Sequence, residues 1–137
     1  MTKICTSIEQ SKKLIELGID MDTADMSYSF NFNSETYELS TVPYKDWIVP
    51  KYAKSDKFEQ VIPTWSLSAL LNLMPKYFSD NISTCKLDLQ PIEDKWNCAY
   101  IRCTNQHCAV CNFYYDSPLD AAFEMVCWLL ENKKIIN

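Results

Sequence analysis

The strongest constraint on this chain is the run from residue 83 to residue 115. Three segments alternate apolar and polar side chains: "STCKLDLQ", "KWNCAYIRC" and "CAVCNFYY". A Pro91–Asp94 turn separates the first two, and Thr104–His107 separates the second pair. Alternation at period two is the mark of a strand with one buried face. Pairing across the first turn sets Leu89 opposite Trp96, Leu87 opposite Cys98 and Cys85 opposite Tyr100. Across the second, Trp96 meets Tyr115, Cys98 meets Phe113 and Tyr100 meets Cys111. The same residues of the middle strand satisfy both pairings, although a slip of one residue would turn every side chain to the wrong face. The run therefore predicts a three-stranded antiparallel meander. Its core face carries Cys85, Leu87, Leu89, Trp96, Cys98, Tyr100, Cys111, Phe113 and Tyr115, and Lys86, Asp88, Asn97 and Asn112 lie on the other.

That arrangement governs how the cysteine cluster is read. Cys98 and Cys111 point to the core, while Cys103 and Cys108 point outward and face each other beside the turn. Thiolates on opposite faces of a sheet cannot close one tetrahedral zinc site. The spacing also supplies one C-x-x-C where paired knuckles need two. No metal site is expected. Directly opposed Cys103 and Cys108, at about 4.5–5.5 Å between Cα atoms, could instead form a cross-strand disulfide. A redox- or metal-responsive module using Cys103, Cys108 and His107, the only histidine, is thus one alternative. As a catalytic base, His107 lacks an evident carboxylate to orient it, so no catalytic residue is assigned.

The rest of the chain reads as helices and one hairpin. A first helix runs from about Ile8 to Leu17, with Thr6 and Glu9 at capping-box spacing and Gly18 as its left-handed stop. In "SYSFNFNSETYELS", Tyr28, Phe30, Phe32, Tyr37 and Leu39 alternate with polar residues. A turn at Asn33–Ser34 predicts a hairpin near 27–40, pairing Phe30 with Tyr37 and Tyr28 with Leu39. Residues 41–62 are interrupted by Pro43 and Pro50 and anchored by Tyr44, Trp47, Tyr52 and Phe58. They read as a long ordered loop or a mobile flap. "PTWSLSALLNLMP" is a short helix between prolines, apolar nearly all round and so either buried on two sides or covered by a partner. The aspartates of "DMDTAD" (Asp20, Asp22 and Asp25) begin like a calcium loop but lack its glycine and final glutamate, and read as solvating the exit from the first helix.

Composition closes several doors. Gly18 is the only glycine, so neither a P-loop nor a dinucleotide-binding turn can be built. Arg102 is the only arginine, the lysines are dispersed and the net charge is −5, which argues against nucleic-acid binding. No run approaches the ~20 apolar residues of a membrane span, and the start has no signal-peptide pattern. Seven cysteines scattered over the chain suit a reducing compartment. The expectation is one cytoplasmic α+β domain over 1–137, without a cofactor.

"SPLDAAFEMVCWLLENKK" is the clearest helix, opened by Ser117 and Pro118. Leu119, Ala122, Phe123, Val126, Leu129 and Leu130 form its apolar stripe, and Trp128 falls on the opposite side. Either Trp128 is covered by the 41–62 segment, or it is an exposed anchor extended by Met125 for a homodimer or protein partner. Together with "SKKLIELGID…TADM" and "IPTWSLSALLNLMP", this segment resembles an uncharacterised family of small proteins from gut Bacteroides-type bacteria, often found in prophage-like or mobile elements. The resemblance implies a source and a context, and no mechanism. The leading expectation is a non-enzymatic accessory protein acting through protein contacts, with Trp128, Met125, Trp47, Tyr44 and Tyr52 as interaction candidates. A small-molecule-binding or hydrolytic domain, with a pocket under the aromatic 44–58 segment, is a second alternative.

Overall fold

The computed structural model of the chain describes residues 3–47, 60–80, 82–103 and 109–134. Among these residues are three α-helices and two antiparallel sheets, an α+β arrangement. Helix α1 (Ile8–Glu16) precedes the hairpin of β1 (Met26–Asn31) and β2 (Thr36–Ser40). Strand β3 (Val61–Thr64), helix α2 (Leu67–Leu73) and strand β4 (Tyr77–Ser79) follow. The chain then forms β5 (Thr84–Ile92), β6 (Lys95–Arg102), β7 (Ala109–Tyr115) and helix α3 (Pro118–Glu131). The sheets are ordered β2-β1-β3 and β4-β5-β6-β7. No helix among the described residues is long and apolar enough to cross a membrane.

The meander is present, with one change of register. Strands β6 and β7 pair as expected: Trp96 with Tyr115, Cys98 with Phe113 and Tyr100 with Cys111. Between β5 and β6 the pairing is displaced by two residues, so Leu87 faces Tyr100, Leu89 faces Cys98 and Pro91 faces Trp96. An even slip keeps every side chain on its face, which is why alternation alone did not detect it. The deciding feature is the turn. Ile92 still pairs with Lys95, leaving only Glu93 and Asp94 in the loop, with Glu93 in the left-handed region at φ 56°. Strand β4 adds a fourth member that three residues were too few to announce.

The hairpin keeps the expected pairs, Phe30 with Tyr37 and Tyr28 with Leu39, around a four-residue tip from Phe32 to Glu35. Strand β3 joins β1 on its other side. Two residues of β3 are Thr64 and a buried proline, Pro63, which the sequence reading placed at the start of a helix. On an edge strand a proline is tolerated, because its missing N–H can face away from the ladder.

Helix starts differ by one step at α1. The capping box is Ser7 with Gln10, not Thr6 with Glu9. Thr6 is used elsewhere. Its hydroxyl lies 2.8 Å from that of Thr64 and 2.9 Å from that of Ser11, and it accepts the Trp65 N–H at 3.0 Å. All three hydroxyl residues are fully buried, so each must find a partner inside the protein. Gly18 does end the helix, at φ 91°. The N–H of Ile19 reaches the Leu14 carbonyl and that of Gly18 reaches Ile15, the paired bonds of a left-handed cap. Asp25 does not merely solvate. It accepts the Ser66 N–H at 2.9 Å and bonds the Ser66 hydroxyl, tying down the N-cap of α2.

Helix α3 is the centre of the core. It buries nine of its fourteen residues and packs on β6 and β7 and against α2. One hydrophobic cluster joins it to Leu14 of α1, Val61 of β3, Trp65, Leu70 of α2, and Cys85, Cys98 and Tyr100 of the larger sheet. Burying each large side chain of this kind is worth about 1.5–3 kcal/mol, so packing, more than helix propensity, holds α3 in place.

Candidate interaction surfaces

The tip of the β1–β2 hairpin is ordered by its own polar groups. Asn31 accepts the N–H groups of Asn33 and Ser34 through Oδ1, and its Nδ2 donates to Glu38 at 3.0 Å. Ser34 and Thr36 hydroxyls lie 2.8 Å apart. This turn holds an aromatic trio. The Phe30 ring stands edge-on to Phe32 at 5.0 Å and to Tyr37 at 5.2 Å, the arrangement that aromatic quadrupoles favour. Phe32 is 71% exposed, and Leu39 on the same face is 39% exposed. Closer to the root, the Tyr28 hydroxyl lies 3.8 Å from the Cys5 thiol. Burial, then that thiol, pushes the Tyr28 hydroxyl up to about 12.

The residues nominated from sequence separate into different environments. Trp128 is half-buried and packs against the core cluster. Its ring neighbour is Phe78 of β4, with centroids 6.1 Å apart, and most of the segment offered as its alternative cover, residues 48–59, lies outside the described residues. Met125 corrects the expectation: it is fully buried, and the Cys111 thiol points at its sulfur at 3.8 Å. It faces the sheet and cannot extend an exposed patch around Trp128. The assumed polar side of α3 is thus a second packed side, because the helix is held between β6–β7 and α2. Tyr44 is buried. The Trp47 indole N–H donates to the Ser27 hydroxyl at 2.7 Å, which donates in turn to the Val42 carbonyl. Trp47 therefore anchors this segment to the three-stranded sheet, and Tyr44 joins the hydrophobic core cluster. Tyr52, Cys108 and His107 lie outside the described residues.

Among the described cysteines of the meander, Cys98 and Cys103 divide as the face argument expects, and Cys111 is partly buried. Cys85 and Cys98 are buried and Cys103 is exposed. Burial, with Cys111 and Asp88 nearby, pushes the Cys98 thiol up to about 12, and burial raises Cys111 to about 11. Such thiols stay protonated and unreactive at neutral pH. The register behind an opposed pair at Cys103 does not continue, since Ile101 pairs with Ala109 after an irregularity at Tyr100. Among the described residues no group of three or more His, Cys, Asp and Glu side chains could hold a metal ion.

The single arginine is engaged in structure. Arg102 donates to Asp80 at 2.9 Å, and the other Asp80 oxygen accepts the N–H groups of Ile82 and Ser83. The Ser83 and Ile82 amides, assisted by Arg102, hold the Asp80 carboxyl down at about 2. At the opposite end of the same sheet, on its outer face, lies a groove of about 310 Å³. Ile92, Glu93, Asn97, Asn112 and Tyr114 line it. Sequence reasoning missed this groove because Ile92 was assigned to a turn. The available signal was Tyr114, an aromatic residue on the polar face of β7.

No family model, curated protein or solved structure matches the chain.

Proposed function

We propose that the chain is a non-enzymatic accessory protein that works through protein contacts, and that the aromatic tip of the β1–β2 hairpin is its principal contact surface. The observation that carries this reading is an ordered turn presenting Phe32, Tyr37 and Leu39 to solvent. Aromatic side chains are enriched where proteins bind one another, and a turn locked by Asn31 loses little freedom on binding. A phage or mobile-element context is supported by the resemblance of three sequence segments, and so belongs to the same proposal.

A photo-crosslinking amino acid at position 32, in the chain expressed in its native host, tests the reading. A discrete adduct is expected, absent when the same group replaces the exposed Glu9 of α1. Leu39→Ser should abolish the adduct without moving the melting midpoint. The same diffuse pattern from positions 32 and 9 would overturn the proposal.

A further inference from the structure

The phase of the hydrogen bonds in the larger sheet identifies which main-chain groups face outward from β7. The Cys103 N–H donates to the Thr84 carbonyl at 2.8 Å, and the Leu87 N–H to the Lys76 carbonyl at 2.9 Å. In an antiparallel ladder, residues that exchange both bonds alternate with residues that exchange none. Counting from these two bonds, the even-numbered residues of β6 turn their main chain toward β7. Their partners are Tyr115, Phe113 and Cys111. The N–H and C=O groups of Asn112 and Tyr114 therefore point off the sheet, of which β7 is the terminal strand.

Edges of this kind are usually blunted by proline or charge. Strand β3 contains Pro63, and the part of β5 beyond its pairing with β4 contains Pro91. Strand β7, "AVCNFYY", contains neither a proline nor a charged residue. Its two edge-facing residues, Asn112 and Tyr114, also line the groove with Ile92, Glu93 and Asn97. The groove's walls are fixed. The Tyr114 hydroxyl donates to the Ile92 carbonyl at 3.2 Å, the Lys95 ammonium stands 5.3 Å from the centre of the Tyr114 ring, and Asn112 donates to Asn97 at 3.3 Å. Its volume is at the lower end of the ~300–1,000 Å³ of ligand pockets, which suits one side chain better than a large ligand.

We infer that β7 and this groove form a site for β-strand addition. Building on the protein-contact reading, its occupant is an extended segment of a partner protein, with an apolar residue seated beside Ile92 and Tyr114. Strand addition draws affinity from main-chain bonds and selectivity from pockets for alternate side chains, and Asn112 and Tyr114 supply both. Charge favours a basic segment over a second copy, because each chain carries −5 and like charges repel.

The test uses the ¹⁵N-labelled full chain and the peptide acetyl-Lys-Val-Leu-Val-Lys-amide. Saturable shifts are expected at the Asn112 and Tyr114 main-chain amides and the Asn97 side-chain amide. Hydrogen exchange at Asn112 and Tyr114 should slow by roughly tenfold or more on binding. A peptide N-methylated at Val and Leu should produce neither effect. Asn112→Pro removes an edge-facing N–H together with the side-chain bond to Asn97, and should abolish binding. Asn112→Ala, which keeps the edge but alters the groove, should weaken it. Phe32→Ser should bind peptide normally, so failure at the hairpin tip and failure here are separable. The proposal is overturned if the peptide gives no saturable shift, or if its N-methylated form binds equally. It is also overturned if the Asn112 and Tyr114 amides are already protected in the free chain, or if Asn112→Pro converts a dimer to a monomer.

Discussion

The two sheets use similar side chains to opposite ends. In the four-stranded sheet, Cys98 and Tyr100 of the inner strand β6 are fully buried beneath α3. In the three-stranded sheet, β3 is buried throughout, whereas β2 is exposed at four of its five positions. Tyr and Phe alternate with polar residues in both. What separates them is the covering layer, because a sheet face becomes core only where another element removes it from water. The smaller sheet is therefore a rooted structure: its root is closed by Thr6, Thr64 and Trp65, and its tip holds together through its own turn.

That contrast can be broken first at the root. Trp65 is fully buried and its indole N–H donates to Thr23 at 3.0 Å. Trp65→Ala should cost about 3–5 kcal/mol, as buried aromatic truncations do, measured by urea denaturation. A loss below about 1 kcal/mol would mean that the root is not continuous with the core.

A smaller effect is expected at the hydroxyl knot. Thr6→Val preserves shape but leaves the Trp65 N–H without its acceptor. An unsatisfied buried donor costs about 1–3 kcal/mol, visible as a lower urea midpoint with an unchanged slope. Rapid exchange at the Trp65 amide in the variant would localise the loss to the root.

Acid sharpens the contrast from the other sheet. The Asp80 carboxyl, held down at about 2 chiefly by the Ser83 and Ile82 amides, closes the β4–β5 connection. A depressed carboxylate contributes stability above its ordinary pKa near ~4, and that contribution is lost as pH falls through the folded value. Hydrogen exchange in β4 and β5 should accelerate between about pH 4 and about pH 2. Asp80→Asn should remove most of that pH dependence, and an unchanged profile would show that the clasp is not its source.

The smallest effect belongs to the tip. Phe32→Ala should change stability by no more than about 0.5 kcal/mol, the range of ordinary surface substitutions. A cost comparable to that of Trp65→Ala in matched melts would place Phe32 in the core and remove the basis for an interaction surface.

Much of this architecture was legible because it depends on near neighbours. Gly18 stops α1, Ser117 and Pro118 open α3, and alternation assigns faces along β5, β6 and β7. The β6–β7 and β1–β2 registers were readable because the apolar residues on both strands match at one offset. The candidate surfaces were less legible. Trp128 and Met125 share a side of α3 on a helical wheel, yet Met125 is sealed against Cys111 while Trp128 remains half-exposed beside Phe78.

By itself the sequence determined the three helices, the stop of α1 at Gly18, the start of α3 at Ser117 and the faces of the longer strands, since each follows from local periodicity and turn chemistry. Tertiary structure alone decided which aromatic face became core, which hydroxyl Thr6 would meet, and the two-residue offset between β5 and β6. It also recruited Val61–Thr64 and Tyr77–Ser79 as strands. The physical reason is common to all of these: a short strand, an even register slip and a buried hydroxyl are each compatible with several local patterns. The choice among them comes from partners distant in the chain, such as Thr64 for Thr6 and Cys85 for Phe78.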